Sequence, residues 1–291
     1  MSPSGRLPSF ILIGAIKAAT TWLTWQLKQS EGVFLPKDEP HYFSREYHRG
    51  LDWYRNLFEP ARPEQVVGEK TADYLANPLA AERIAELLPD ARLLVQLRNP
   101  VDRAYSDYCM LFRRGTVSSN IEDYLDPRRA QFRRFLENGL YHAHLVRWRG
   151  LFPRKLLAIF LFEDVAAQPE AMLIKAAQHI GIADGIVPWQ MSARINDSHA
   201  PMLPLGMRKI LAPVKGIASP LRGMRLFEAA RAKVARPIAY PPLSEDLRRR
   251  LEEYYASDVG SLSKMIRRNL NHWLQPPDPR WDEAGSHFGV Q

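Results

Sequence analysis

A single lysine in a loop of small residues, Gly14-Ala-Ile-Lys17-Ala18-Ala19-Thr20-Thr21-Trp22, is the first group in this chain whose setting points to chemistry. Residues 10–13 before it are apolar and partly β-branched, which predicts a buried strand. Thr20 or Thr21 can cap a helix whose apolar positions follow at Trp22, Leu23 and Leu27. A strand, such a loop and a helix N-terminus together aim unpaired backbone N–H groups at one point. That point attracts an anion, most often a phosphate. The bland alternative is a solvated lysine in an ordinary strand-to-helix turn. A P-loop kinase or NTPase is the nearest enzymatic alternative, but that loop needs Gly-Lys-Ser/Thr in direct succession, and Lys17 stands three residues before Thr20.

A second group of titratable residues lies at Pro36-Lys-Asp-Glu39-Pro40-His41-Tyr-Phe43. Two prolines and three charges make this a loop, and if it is extended Glu39 and His41 share one side. No metal is expected, because the histidines lack ligand spacing and Cys109 is the only cysteine.

Elements that position these groups can be followed along the chain. Residues 32–35 and 66–71 read as short strands, 50–58 and 78–88 as helices, and 91–97 as the clearest buried strand. That strand runs straight into Arg98-Asn99-Pro100, with a helix from about Val101 whose apolar face carries Val101, Tyr105, Tyr108 and Phe112, while Arg103, Ser106 and Asp107 point elsewhere. A basic helix is expected over 121–137, broken at Gly139-Leu-Tyr141, then a helix with Leu145 and Trp148, a strand over 156–162, and a helix over 169–180. Strands alternating with helices predict an α/β fold with a mainly parallel central sheet covered on both faces. Residues 186–242, rich in Pro and Gly, are expected to form a lid or flap, residues 244–273 a helical finish, and 276–291 a flexible tail beyond a single domain of 1–275.

The net charge of +8 implies anionic partners, and nucleic acid, an acidic membrane surface, a nucleotide or an acidic substrate all suit that sign. The arginine clusters at 113–114, 133–134, 248–250 and 267–268 lack the aromatic spacing of an RNA-binding motif, so no nucleic acid is expected. Arg6 and the apolar run after it could pass for a signal-peptide core, but Lys17 interrupts that run and Trp and Gln residues follow it. The run is also too short for a membrane span. A soluble, cytoplasmic protein is expected, with its oligomeric state unreadable.

Two segments together resemble a known family. Lys17-Ala-Ala-Thr20-Thr21-Trp22 after a strand resembles the 5′-phosphosulfate loop of sulfotransferases that use 3′-phosphoadenosine-5′-phosphosulfate (PAPS), and Arg98-Asn-Pro-Val-Asp-Arg-Ala-Tyr-Ser106 resembles their 3′-phosphate motif. Asp38-Glu39-Pro-His41-Tyr-Phe43 and Gly68-Glu69-Lys70-Thr71 are similar to the heparan-sulfate-type, carbohydrate-modifying branch. Gly139-Leu-Tyr141, Phe162-Glu-Asp164 and the segment 241–273 are similar to bacterial members. The family carries Gly where this chain has Ala19, and no basic, Gly-containing loop covering the nucleotide is legible beyond Lys215, Arg222, Lys233 and Arg236.

The resemblance implies a P-loop-like nucleotide-binding fold and in-line sulfuryl transfer from PAPS to a hydroxyl or amine of a small-molecule or glycan acceptor, leaving adenosine 3′,5′-bisphosphate. It implies that Lys17 stabilises the leaving group and that Ala18, Ala19, Thr20, Thr21 and Trp22 hold the 5′-phosphate, with the Trp22 ring either stacked on adenine or buried in the core. It places Arg98 and Ser106 on the 3′-phosphate and adds Tyr141 to the nucleotide set. Glu39 is implied as general base, with His41 as the rival, and Lys70 as an orienting cation for the sulfate or an acidic acceptor. The alternative from another class is a non-catalytic basic protein that holds nucleotide, nucleic acid or acidic glycan.

Overall fold

The computed structural model describes residues 6–182 and 237–275. Nearly all of the expected lid, the tail and the four candidate covering residues from Lys215 to Arg236 lie outside the described residues. Five parallel strands form the sheet, β1 (Phe10–Gly14), β2 (Val33–Phe34), β3 (Val66–Lys70), β4 (Arg92–Leu97) and β5 (Leu157–Leu161), in the order β2-β3-β1-β4-β5. The α/β, mainly parallel expectation is thus met.

Each central strand is apolar on both faces because each face is covered. On β1, Phe10 and Leu12 enter one core while Ile11 and Ile13 enter the other, as period-two alternation requires. The first core is closed by α1 (Thr20–Lys28) and, at the far edge, by α9 (Pro169–Ile180). The second is closed by α2 (Gly50–Asn56), α3 (Pro78–Leu87), α4 (Pro100–Arg114), α7 (Tyr141–Leu151) and α10 (Glu245–Ile266).

From β1 the chain leaves over one face toward β2, whereas from β4 it leaves over the other face toward β5. The carboxyl ends of the adjacent strands β1 and β4 therefore flank a topological switch point, where open α/β sheets bind their ligands. Both anion-seeking loops, at Lys17 and at Arg98, emerge there.

Several expected elements differ. The basic helix over 121–137 is two single turns, α5 (Glu122–Leu125) and α6 (Arg134–Glu137), because Pro127 drives Asp126 into extended backbone with ψ 119. A short helix α8 (Phe162–Ala167) precedes α9. The helical finish stops at Ile266, where Arg267 turns left-handed at φ 56. That turn lets Arg268 meet Asp164 with two hydrogen bonds of 2.9 Å, and Glu163 accepts from Trp273 Nε1 at 2.8 Å and pairs with His272 at 3.0 Å. Phe162-Glu-Asp164 is thus a clasp for the C-terminal segment.

Arg103 and Asp107 do not face solvent but are fully buried. Arg103 donates to the Phe135 carbonyl and pairs with Asp107 at 3.6 Å, which locks α4 against α6. Asp102 takes Arg248 at 2.7 Å, tying α4 to α10.

Glu69 is a further buried acid, enclosed by Tyr54, Tyr74 and their aromatic neighbours and accepting the Tyr54 hydroxyl at 2.9 Å. Burial, against the Tyr54 hydrogen bond, pushes its carboxyl up to about 8 from 4.5. Between those values the folded chain keeps a proton that the unfolded chain gives up, so stability falls as pH rises from about 4.5 to 8 and then levels. Glu69→Gln is expected to flatten that slope and to exceed the parent in stability at pH 8.5 by on the order of 4 kcal/mol. Urea unfolding at pH 5 and 8.5 checks this.

Candidate active site

The loop between β1 and α1 is shaped by close approach. A Cβ on Gly14 would lie 2.7 Å from the Leu75 Cβ, so only glycine lets the strand end pass residues 72–75. Lys17 and Ala19 then adopt left-handed backbone, at φ 66 and φ 58. Such a conformation costs an L-residue roughly 1–2 kcal/mol, so the alanine where the family has glycine is held under strain. Ala19, rather than either threonine, occupies the cap position, and it offers no side-chain acceptor. The N–H groups of Thr20 and Thr21 take no backbone acceptor among the described residues, and no acidic residue stands in the first turn. This is a helix end prepared for an anion.

Two cations meet at the switch point. Arg98 donates to the Lys17 carbonyl at 3.5 Å, and its guanidinium lies 5.0 Å over the Phe162 ring. Burial, followed by the Arg98 charge, holds the Lys17 ammonium below the usual lysine range. A polyanion placed between them would relieve that repulsion.

Asn99 fixes the turn after Arg98, capping α4 through Val101 N–H at 2.9 Å and donating to the Trp273 carbonyl at 3.0 Å. Ser106 follows two turns into α4. It is buried, and its hydroxyl has no hydrogen-bond partner among the described residues. A buried orphan hydroxyl on the helix that follows Arg98 can donate to a phosphate oxygen.

Glu39 stands across the first turn of α1. Its carboxylate pairs with Lys70, the last residue of β3, and accepts Ala72 N–H at 3.0 Å. Both side chains line a cavity of about 300 Å³ whose other wall is the α1 face Thr21, Thr24, Trp25 and Lys28. A carboxylate fixed by two donors and facing a cavity is arranged to receive a proton.

His41 does not share that cavity lining. The segment is not extended through it, because His41 turns left-handed at φ 50, so the expected common side with Glu39 is lost. Its Nδ1 lies 3.1 Å from Asp73 Oδ2, and its N–H donates to Thr71 Oγ1 at 3.3 Å. Asp73 also takes Ser44 at 3.1 Å and Arg45 at 2.8 Å. Burial opposes charge on Asp73, but the His41 hydrogen bond and the Arg45 charge hold its carboxyl low.

Trp22 and Tyr141 are both buried. Trp22 is 4% exposed among Phe10, Leu12, Phe160 and Phe162, a core position with no ring face open for a base. Tyr141 is fully buried at the start of α7, edge-on to Trp273, and burial pushes its hydroxyl up to about 12. Both brace the site from behind.

Three site features escape sequence reasoning: Asp73 behind His41, the Trp25–Lys28 wall, and Asn99 as a cap. Only the last had a usable signal, Asn-Pro at a strand-to-helix junction. Among the described residues no cluster of metal-ligating side chains occurs, and no helix is long and apolar enough to cross a membrane.

Comparison with known proteins adds an independent finding. A sequence profile of the Sulfotransferase family matches residues 59–184. The mouse heparan sulfate glucosamine 3-O-sulfotransferase 3B1 is 31% identical over 184 residues, which is 62% of this chain and 47% of that protein. The human bifunctional heparan sulfate N-deacetylase/N-sulfotransferase 3 is 29% identical over 302 residues, covering 95% of this chain and 31% of that one. The chain spans about half the length of the curated 3-O-sulfotransferases it matches. Among solved structures, a sulfotransferase from Alicyclobacillus acidocaldarius superposes with a TM-score of 0.68 at 25% identity, over 93% of this chain and all of that one.

Proposed function

This chain is a member of the sulfotransferase family, and from that premise we propose that it moves a sulfuryl group from PAPS to a hydroxyl or amine of a carbohydrate-type acceptor. The observation that carries the reading is the contact between the Lys17 loop and Arg98 at the switch point, with Glu39 facing a cavity walled by the same helix α1.

The residues present fit the donor. The free N–H groups at the start of α1, with the Thr20 and Thr21 hydroxyls, would hold the 5′-phosphate, and Arg98 with the orphan Ser106 hydroxyl would hold the 3′-phosphate. When bound, PAPS supplies the electrophilic sulfur and a phosphate leaving group. Sulfuryl transfer asks of the protein what phosphoryl transfer asks: in-line placement and stabilised charge on the departing oxygen. Lys17 is the cation on the loop for that oxygen. Glu39 takes the acceptor proton, and the contact with Lys70 keeps its carboxylate aimed. The acceptor enters along the Trp25–Lys28 face of α1, where an aromatic ring and a lysine suit a sugar bearing polar groups.

Calorimetry with adenosine 3′,5′-bisphosphate tests this directly. Micromolar binding is expected; ATP binding in its place would overturn the reading.

A further inference from the structure

Gln96 is fully buried on β4, and neither its amide nitrogen nor its amide oxygen has a hydrogen-bond partner among the described residues. Two unmet polar atoms in one core side chain cost stability, and a leucine of the same size would avoid the cost. Its location suggests what the cost supports. Leu93, Val95 and Leu97 enter the core under α4, whereas Leu94 enters the core under α1, so Gln96 projects to the α1 face, closer than Leu94 to the ligand-binding edge of the sheet. Its register partner on β5 is Phe160, and on the other side its carbonyl accepts Ala15 N–H, the first residue of the Lys17 loop, at 2.7 Å.

The loop above this face is rich in unmet donors and poor in rest. Ala19 belongs to the same core, the N–H groups of Thr20 and Thr21 lack backbone acceptors among the described residues, and Lys17 and Ala19 are held left-handed. An unpartnered amide beneath a strained loop is a latch with one half open.

We infer that Gln96 is a positioning residue of the donor site: its carboxamide pairs with the backbone of loop 15–19 in the nucleotide-bound form and holds the loop there. The inference rests on the function proposed above. It assigns to the sheet floor a role that the loop residues alone do not fill. A pairing made on binding would set binding and stability against each other at this position.

The full chain carrying Gln96→Leu, with Gln96→Met as a second, unbranched replacement, tests it by two readouts. The expected result is a melting temperature of the free protein no lower than the parent's, together with roughly tenfold weaker binding of adenosine 3′,5′-bisphosphate, equivalent to about 1.4 kcal/mol. The donor KM should rise likewise while the acceptor KM holds. Affinity within about twofold of the parent in both variants would overturn the inference, as would a loss of affinity matched by a loss of stability in both, which marks an ordinary core residue. If the parent itself fails to bind the bisphosphate, the functional reading falls first; if the parent binds and the variants bind equally, only the role of Gln96 falls.

Discussion

Glu39→Gln is expected to lower kcat by ~10²–10⁴ while leaving the affinity for adenosine 3′,5′-bisphosphate within about twofold. The substitution keeps the side chain's shape and an oxygen for the Ala72 N–H, while it removes the capacity to accept a proton and the negative charge that pairs with Lys70. Glu39 lies in the cavity wall opposite α1, whereas the proposed phosphate contacts are the N–H groups of α1, Arg98 and Ser106. Donor affinity and turnover should therefore separate. The control is His41→Ala. His41 is held by Asp73 and Thr71 outside the cavity lining, so its loss should cost some local order around residues 41–45 and less than about tenfold in kcat. Single-turnover rates at saturating donor give the comparison. An active Glu39→Gln beside a dead His41→Ala would transfer the base to the His41–Asp73 pair, whose geometry leaves Nε2 available for that task.

The parts of this site that were legible in the sequence are those set by local pattern. β1 is a short apolar run ending in a glycine and β4 a mostly apolar run leading into an arginine, and their burial on both faces leaves little choice of element. The open N-terminus of α1 was readable too, although its cap was not, because left-handed backbone at Ala19 has no signature in residue type. The same limit hid the divergence of Glu39 from His41, which follows from one left-handed residue. Charge misled in a different way. Arg103 and Asp107 lie off the apolar face of α4, yet they are buried, because Arg103 donates to the Phe135 carbonyl, 32 residues away, and Asp107 pairs with Arg103 and Arg134. Gln96 was silent for a related reason: one amide in an apolar strand is ordinary until both of its polar atoms prove unpaired. Tertiary context overrides local preference at these charged and polar positions, while the apolar framework is fixed by period alone.

The two cations of the donor site should fail in different ways. Lys17→Ala is expected to lower kcat by ~10²–10³ with a smaller effect on bisphosphate affinity, because charge on the departing oxygen is largest in the transition state. Arg98→Ala is expected to weaken bisphosphate binding roughly 10- to 100-fold, the range of a charge-assisted hydrogen bond to phosphate, and to lower kcat less at saturating donor. The geometry supports the split: Lys17 is on the loop proposed to hold the 5′-phosphosulfate, while Arg98 follows the end of β4, on the chain that continues into α4 and Ser106. A second consequence follows from their mutual repulsion. Burial and the Arg98 charge together hold the Lys17 ammonium low, so removing Arg98 should raise the Lys17 pKa. If protonated Lys17 is the active form, activity falls as pH rises through its pKa, and in Arg98→Ala that fall should move to higher pH. Equal losses of kcat in the two variants, with unchanged bisphosphate affinity in both, would remove the two-ended grip and return the loop to a generic anion site.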